Sequence, residues 1–179
     1  ITDGDSAPTV TLSTSDTSIA ENAGTSLTLT ATLSVATTAD VTVALSTSGT
    51  ATEGTDYTDG SGAIDDMTIS AGSTTTTANF TPTNDSTVEG NETATIAIDT
   101  VSGGSATEDG NQSVTITITD DDSGNFSVAD VTVAEDVGNA TITVALSSAY
   151  SSSQTIQYET SNDTATALAR GPLDAAGYR

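Results

Sequence analysis

Leu27-Thr28-Leu29-Thr30-Ala31-Thr32-Leu33 is the stretch that decides the fold class of this 179-residue chain. Aliphatic side chains occupy every second position, and threonine fills the positions between them. Because the side chains of a β-strand point alternately to opposite faces, this pattern predicts a strand with one buried and one solvated face. Similar apolar segments occur at Val10–Leu12, Val41–Leu45, Met67–Ile69, Ala78–Phe80, Ala94–Ile98 and Val114–Ile118. Seven strands at a spacing of roughly 8–15 residues, with no helical period, predict an all-β fold, a seven-strand antiparallel Greek-key sandwich.

The charge of the chain excludes much enzyme chemistry. The sequence has 25 acidic and two basic residues, a net charge of −23, and no His, Cys or Trp. Both basic residues are arginines, Arg170 and Arg179. Without His, Cys or Lys the chain cannot form a Ser/His or Cys/His nucleophile pair, a Schiff base, a P-loop or a His/Cys metal site. We therefore expect no enzyme, and the partner that best suits the remaining carboxylates is a hard cation.

Two classes of partner are also unexpected. Binding to nucleic acid needs a basic face that neutralises phosphates, and residues 1–169 contain no basic side chain. No apolar run approaches the ~20 residues that cross a bilayer. The sequence therefore predicts neither a nucleic-acid partner nor membrane insertion.

The sequence pattern restarts after residue 122. Ile19 to Gly24 recurs as Val133 to Gly138, with Glu21 and Glu135 lying 114 residues apart. The opening Ile1 to Asp5 matches Ile118 to Asp122. The offset is 114 residues for the first match and 117 for the second, and recurrence at nearly equal offsets is typical of tandem repeats. We predict the end of a preceding repeat at 1–5, a complete domain at 6–122 and the first half of a second domain at 123–179.

The half domain raises a packing problem, because three strands cannot close a sandwich. Further chain would complete it in one interpretation. In the other, a neighbouring molecule adds the missing strands by donor-strand assembly.

Acidic residues gather at the predicted strand ends. They are Glu21, Asp56, Asp85, Glu89, Glu92, Asp120, Asp121 and Asp122. Alternate loops of a Greek-key sandwich lie at the same end, so these eight carboxylates can converge on one rim. At ~5 Å and an effective dielectric constant of ~20, each like-charge pair costs roughly 3 kcal/mol, which bound divalent cations would reverse. The alternative is solvated turn acids, or the evenly spread surface acidity of a protein from a saline habitat.

Four motifs resemble the Calx-β domain family. They are Ile19 to Gly24, the turn Gly49 to Tyr57, the hairpin Asp85 to Glu92, and the end Ile116 to Asp122, and they occur in the family's order. The resemblance implies an immunoglobulin-like seven-strand sandwich, tandemly repeated, that binds calcium at one rim. It implies as ligands the eight carboxylates named above, together with a backbone carbonyl near Thr87.

The sequence departs from the family pattern in two places. Asn84 stands where calcium-binding members often have another Asp. In the half domain only Glu135 of the acidic set is present, and Arg170 or Gly171 falls where the turn aspartate would be.

We expect a non-enzymatic structural or adhesive repeat of an extracellular or cell-surface protein, made rigid by calcium. Its partners would be neighbouring repeats of the same protein and a cell-surface or matrix ligand. The alternative is an extracellular filament subunit that joins identical subunits by strand complementation without calcium. An alternative of another class is a carbohydrate-binding or glycan-active module with Glu89 and Glu92 as its carboxylate pair, which the scarcity of aromatic residues disfavours.

Glycosylation is a separate expectation for an extracellular chain. Seven asparagines have Ser or Thr two residues later, namely Asn79, Asn84, Asn91, Asn111, Asn125, Asn139 and Asn162. They are either sequons of a glycoprotein or the consequence of threonine-rich strands.

Overall fold

The computed structural model describes residues 6–134, 136 and 138–161, and it consists of strands and loops. Ten strands lie before residue 122: β1 Thr9–Thr14, β2 Ser18–Ala20, β3 Leu27–Leu33, β4 Val41–Gly49, β5 Tyr57–Thr58, β6 Met67–Ile69, β7 Thr75–Pro82, β8 Glu92–Ser102, β9 Thr107–Glu108 and β10 Ser113–Thr119. One 3-10 turn, Glu21–Ala23, follows β2. Two more strands, β11 Phe126–Val128 and β12 Val144–Leu146, lie after residue 122. We call residues 6–122 the first module and residues from 123 onward the second module.

The first module is a sandwich of two five-stranded sheets, in the orders β5-β7-β3-β1-β9 and β2-β10-β8-β4-β6. All seven strands predicted from the sequence are present, and the all-β sandwich is confirmed. The short strands β2, β5 and β9 were not predicted. Pairing is antiparallel except for β1 with β9 and β2 with β10, which are parallel. The seven predicted strands pair with one another antiparallel, as predicted. Each parallel pair involves one of the additional short strands, β9 or β2.

The parallel pairing of β2 with β10 follows from a change of sheet near Asp16. The chain leaves the first sheet at Thr14 and enters the second at Ser18, so β1 and β2 lie in different layers. The Asp16 carboxylate accepts the Thr17 N–H at 2.6 Å in this crossing. Because β2 runs on beside β10, the residue that follows β2 is delivered next to the residue that follows β10.

The core lies between the two sheets. Leu27, Leu29, Ala31 and Leu33 are all buried, and the threonines between them are half-buried, as the alternation predicts. Near one end of the sandwich, Tyr57 stacks on Phe80 with ring centroids 4.7 Å apart. Among the described residues, Glu21 is the one buried charged side chain.

The second module repeats the first hairpin of the first. Phe126 pairs with Leu146 and Val128 with Val144, which is the register of Val10 with Leu33 and Leu12 with Ala31. The described part of this module leaves its apolar face exposed, with Ile142 64 % accessible.

Several sequence-based predictions fall outside the described residues. They concern Ile1 to Asp5, Glu135, Arg170 and Gly171. The domain boundaries at 5 and 122 therefore stay predictions. Among the described residues, no helix has the length and apolar character needed to span a bilayer.

Substitution of Phe80 tests the core. Phe80→Ala removes a fully buried ring and its stacking on Tyr57, so we expect the free energy of unfolding to fall by about 3–5 kcal/mol. The measurement is chemical denaturation followed by circular dichroism. Val35→Ala, at a position that is 54 % exposed, is the control, with an expected change within about 0.5 kcal/mol. Equal losses for both variants would contradict this description of the core.

Candidate metal centre

Six of the eight predicted carboxylates surround one small cavity at an end of the first module. Its lining comprises Glu21, Asp56, Thr83, Asp85, Glu89, Gly90, Glu92, Ile118 and Asp120. We call the six carboxylates of this lining, together with Asp122, the acidic rim. Four separate chain segments contribute to it, as the strand-end spacing predicts.

A first group consists of Glu21, Asp120 and Asp122, each with a carboxylate oxygen within 4.8 Å of the others. Pairing of β2 with β10 produces this arrangement, because Ile19 lies opposite Ile118 and both strands end in the same direction. Glu21 then begins the 3-10 turn while Asp120 follows β10. Asp120 Oδ1 accepts the Asp122 N–H at 2.9 Å, which folds the chain back toward the group.

A second group consists of Asp56, Glu89 and Glu92, again within 4.8 Å of one another. Asp56 is fixed just before β5 by the Thr52 N–H, which donates to its Oδ2 at 2.5 Å. The Asp56 carbonyl also accepts the Thr83 N–H at 2.9 Å, so this turn is attached to the end of β7. Glu92 begins β8.

The loop between β7 and β8 is held by rim carboxylates. The Asp85 N–H donates to Glu21 Oε1 at 2.6 Å. Asp120 Oδ2 accepts two amides of the same loop, from Glu89 at 2.9 Å and from Gly90 at 2.7 Å. Glu21 and Asp120 therefore position the loop that carries two further carboxylates.

Apart from Asp122, which belongs to the first group, two predicted ligands lie outside the cavity lining. Asp121 is exposed, and its Oδ2 accepts a hydrogen bond from the Asn22 side chain. Thr87 is half-buried, and its N–H donates to Asp85 Oδ1 at 2.6 Å. The roles predicted for Asp121 and for the carbonyl near Thr87, like those of the other ligands, stay predictions.

The sequence analysis missed two polar side chains at the rim. Asn91 Oδ1 accepts the Asp120 N–H at 3.3 Å, and Asn22 contacts Asp121. Asn84, noted as a departure from the family, is exposed and donates to the Asp85 carbonyl at 3.3 Å. The one available signal was adjacency, because Asn22 follows Glu21 and Asn91 precedes Glu92.

Crowding shifts the acidity of the rim. Burial is the largest cause that raises the pKa of Glu92, to about 7, and the nearby Asp56 carboxylate adds to it. Burial also raises the pKa values of Glu21, Glu89 and Asp122, again reinforced by neighbouring acids. The pKa of Asp120 is instead lowered by hydrogen bonds to its carboxylate, of which the one from the Gly90 amide has the largest effect.

The rim has an oxygen-only donor set, and no described residue beside it is cationic, since residues 1–169 contain no Lys, Arg or His. Within the described part of the chain, Asp122 Oδ2 is a buried oxygen without a hydrogen-bond partner. A buried carboxylate oxygen left unpaired is costly. Hard cations such as Ca²⁺ bind six to eight oxygens, so these residues fit such an ion.

A sugar-binding interpretation would need an aromatic platform at this cavity. Tyr57 is the aromatic residue next to Asp56, but it is 1 % exposed and stacked on Phe80. Its ring is therefore committed to the core.

Comparison with known proteins gives one family. The model of the Calx-beta domain matches residues 3–122 and, a second time, residues 119–171. No curated protein sequence matches the chain. The two matches support the tandem repeat predicted from the 114-residue offset.

Solved structures resemble the chain at low sequence identity. The apo-form Calx CBD1 domain has a TM-score of 0.51 at 20 % identity, covering 64 % of this chain and 99 % of that one. CBD12 from CALX1.2 gives 0.49 at 22 %, covering 68 % of this chain and 50 % of that one. The calcium binding domain CBD12 of CALX1.1 gives 0.48 at 23 %, covering 59 % and 41 %. At these identities, the apo-form CBD1 likeness shows the sandwich fold alone.

The raised pKa of Glu92 predicts an unusual dependence of stability on pH in the metal-free chain. Because the folded pKa of about 7 exceeds the ordinary value of 4.5, the folded state binds this proton more tightly than the unfolded state. The stabilisation is fully present below pH 4.5 and is lost as the pH rises through 7. In chelator, we therefore expect unfolding midpoints to fall between pH 5 and 7.5.

Glu92→Gln should flatten this slope and raise the midpoint at pH 7.5. Asp99→Asn removes a charge from an exposed position on the same strand and is the control, which should keep the parental slope. A parental midpoint that rose steadily over this range would contradict the assignment.

Proposed function

The chain belongs to the Calx-beta domain family, and on that premise we propose that it is a non-enzymatic structural or adhesive repeat that binds calcium at the acidic rim. We place it in an extracellular or cell-surface protein, as a segment of a tandem array. The observation that carries calcium binding is the buried, unpartnered Asp122 Oδ2, within a cluster that has no basic residue near it in sequence or space among the described residues.

Each of the two carboxylate groups would supply part of the shell of one ion. Glu21, Asp120 and Asp122 would hold the first, and Asp56, Glu89 and Glu92 the second. Asp85 lies in the same cavity, next to Glu21. When bound, calcium supplies the positive charge that offsets the mutual repulsion of these groups.

Rigidity would follow from where the first group lies in the chain. Asp120 and Asp122 stand between β10, the last strand of the first module, and β11, the first strand of the second. An ion that fixes both carboxylates to Glu21 therefore fixes the exit of the chain from the sandwich. Neighbouring repeats are the partners that this arrangement supports, and the net charge of −23 favours extended arrays through mutual repulsion.

Direct titration tests calcium binding. Isothermal calorimetry of the full chain at fixed ionic strength should show calcium binding that excess magnesium does not reproduce, because Mg²⁺ demands a smaller, octahedral shell. Asp122→Asn keeps the size of the side chain and leaves the hydrogen bond from its N–H to Asp120 intact. Because it removes one carboxylate charge from the first group, it should weaken calcium binding by at least about tenfold.

The matched control is Asp99→Asn, an equal loss of charge at an exposed position outside the rim. It should bind calcium as the parent does. Equal effects of the two variants would show that calcium responds only to net charge, and an absence of heat in the parent would refute the proposal.

A second candidate function rests on the exposed apolar face of the second module. Phe126, Val128, Ile142, Val144 and Leu146 are between 40 % and 64 % exposed. The equivalent face of β1 and β3 in the first module is covered by the second sheet. An apolar groove of about 500 Å³ lies between β11, β12 and the segment around Ile156 and Tyr158. Strands supplied by an identical chain would make the protein a filament subunit.

Sedimentation velocity at increasing concentration tests this candidate. We expect the parent to form larger species at micromolar concentration in chelator, and Val144→Asp to stay monomeric because a charge on the face blocks strand packing. Val35→Asp, at an exposed site in the first module, should associate as the parent does. A parent that remains monomeric at high concentration would eliminate the filament function.

A further inference from the structure

The loop that carries Asp85 and Glu89 of the acidic rim contacts the second module. In the loop between β7 and β8, the Val88 N–H donates to the Ala149 carbonyl at 2.8 Å, and the Ser151 N–H donates to the Val88 carbonyl at 3.1 Å. These two bonds form an isolated parallel bridge between Val88 and Tyr150. Val88 is thus flanked by rim residues on one side and held by the second module on the other.

Tyr150 also contacts residues 123–125, which begin the second module directly after the rim residue Asp122 and which we call the linker. Its hydroxyl donates to the Gly124 carbonyl at 2.8 Å. Its ring lies so close to Gly124 that a Cβ atom at this position would overlap the ring. Gly124 is therefore required by this close approach. The linker is further tied by the Asn125 N–H, which donates to Ser147 Oγ at 2.9 Å.

One short segment of the second module thus touches both chain segments that present the rim. Val88 immediately precedes Glu89 of the second carboxylate group, and Gly124 comes two residues after Asp122 of the first. The Val88 loop is in turn bonded to Glu21 and Asp120 through the amides of Asp85, Glu89 and Gly90. Movement of Val88 and Gly124 relative to each other therefore requires contacts of Ala149–Ser151 to break.

We propose that Ala149–Ser151 is a clamp in which Tyr150 acts as a positioning residue for the metal centre. The second module preorganises both carboxylate groups of the first, so that the two-module chain binds calcium more tightly than a chain with the clamp released. Calcium, by fixing Glu89 and Asp122, holds the second module in return, since coupling between two binding events is reciprocal. This inference rests on the proposed calcium function and adds which residues couple the rim to the next repeat.

Two variants of the full chain release the clamp. Gly124→Ala displaces the Tyr150 ring, and Tyr150→Phe removes only its hydrogen bond. From the usual size of such couplings, we expect calcium affinity to fall about fivefold in Tyr150→Phe and about tenfold in Gly124→Ala. Tyr158→Phe, which removes the same hydroxyl from a side chain that is 77 % exposed, and Ser123→Ala in the linker are the matched controls and should keep the parental affinity.

Amide hydrogen exchange gives a readout that needs no bound metal. In chelator, Gly124→Ala should lose exchange protection at Val88 and Ser151 and also at Glu89 and Gly90, whose amides bond to Asp120. The core amides of β3 should keep their protection, which separates a positioning effect from general destabilisation. In the parent, calcium should increase the protection of Ser151, although this residue belongs to the second module.

Unchanged calcium affinity in both variants, with Ser151 protection unaffected by calcium, would overturn the proposal. If the parent binds no calcium, the proposed function fails, and the clamp is then judged by the chelator experiment alone. Loss of protection at Glu89 and Gly90 in Gly124→Ala would support the clamp, and protection equal to that of the parent would overturn it.

Discussion

The repulsion among the rim carboxylates is the constraint on which the rest of the molecule depends. Two groups of three carboxylates, with Asp85 beside them, lie at one end of a small sandwich, and the chain offers no basic side chain before Arg170. The pKa of Glu92 rises to about 7 as a result of burial and of these neighbours. The molecule partly relieves the repulsion with backbone amides, most clearly at Asp120. A divalent cation would relieve the remainder.

The sandwich makes this arrangement possible by fixing strand ends rather than by contributing chemistry. Buried aliphatic side chains hold the two sheets together, and the change of sheet near Asp16 brings the end of β2 beside the end of β10. Pairing of β5 with β7 delivers Asp56, and the start of β8 delivers Glu92. Every rim carboxylate therefore depends on a distant part of the core, and a bound ion would in turn connect those parts of the chain.

Much of this could be predicted from the sequence, for identifiable reasons. The alternation of Leu27 to Leu33 states which face is buried, and acidic residues at strand ends converge because a sandwich has only two ends. Strands of only two residues, such as β5 and β9, carry too little pattern to be predicted. The position of Asp121 outside the cavity depends on how the chain turns after β10. The Val88 contact with Tyr150 leaves no trace in the sequence, because backbone bonds between distant residues do not depend on residue type.

The most direct test of the account is the unfolding midpoint of the full chain in saturating calcium, in equal magnesium and in chelator, at fixed ionic strength. If calcium completes the rim, the midpoint should rise by several degrees in calcium alone, since a ligand at a hundred times its Kd stabilises the folded state by about 2.7 kcal/mol. A midpoint that is the same in all three conditions would contradict the account. The acidic rim would then be a solvated surface, and the repeat would be held by its sandwich core alone.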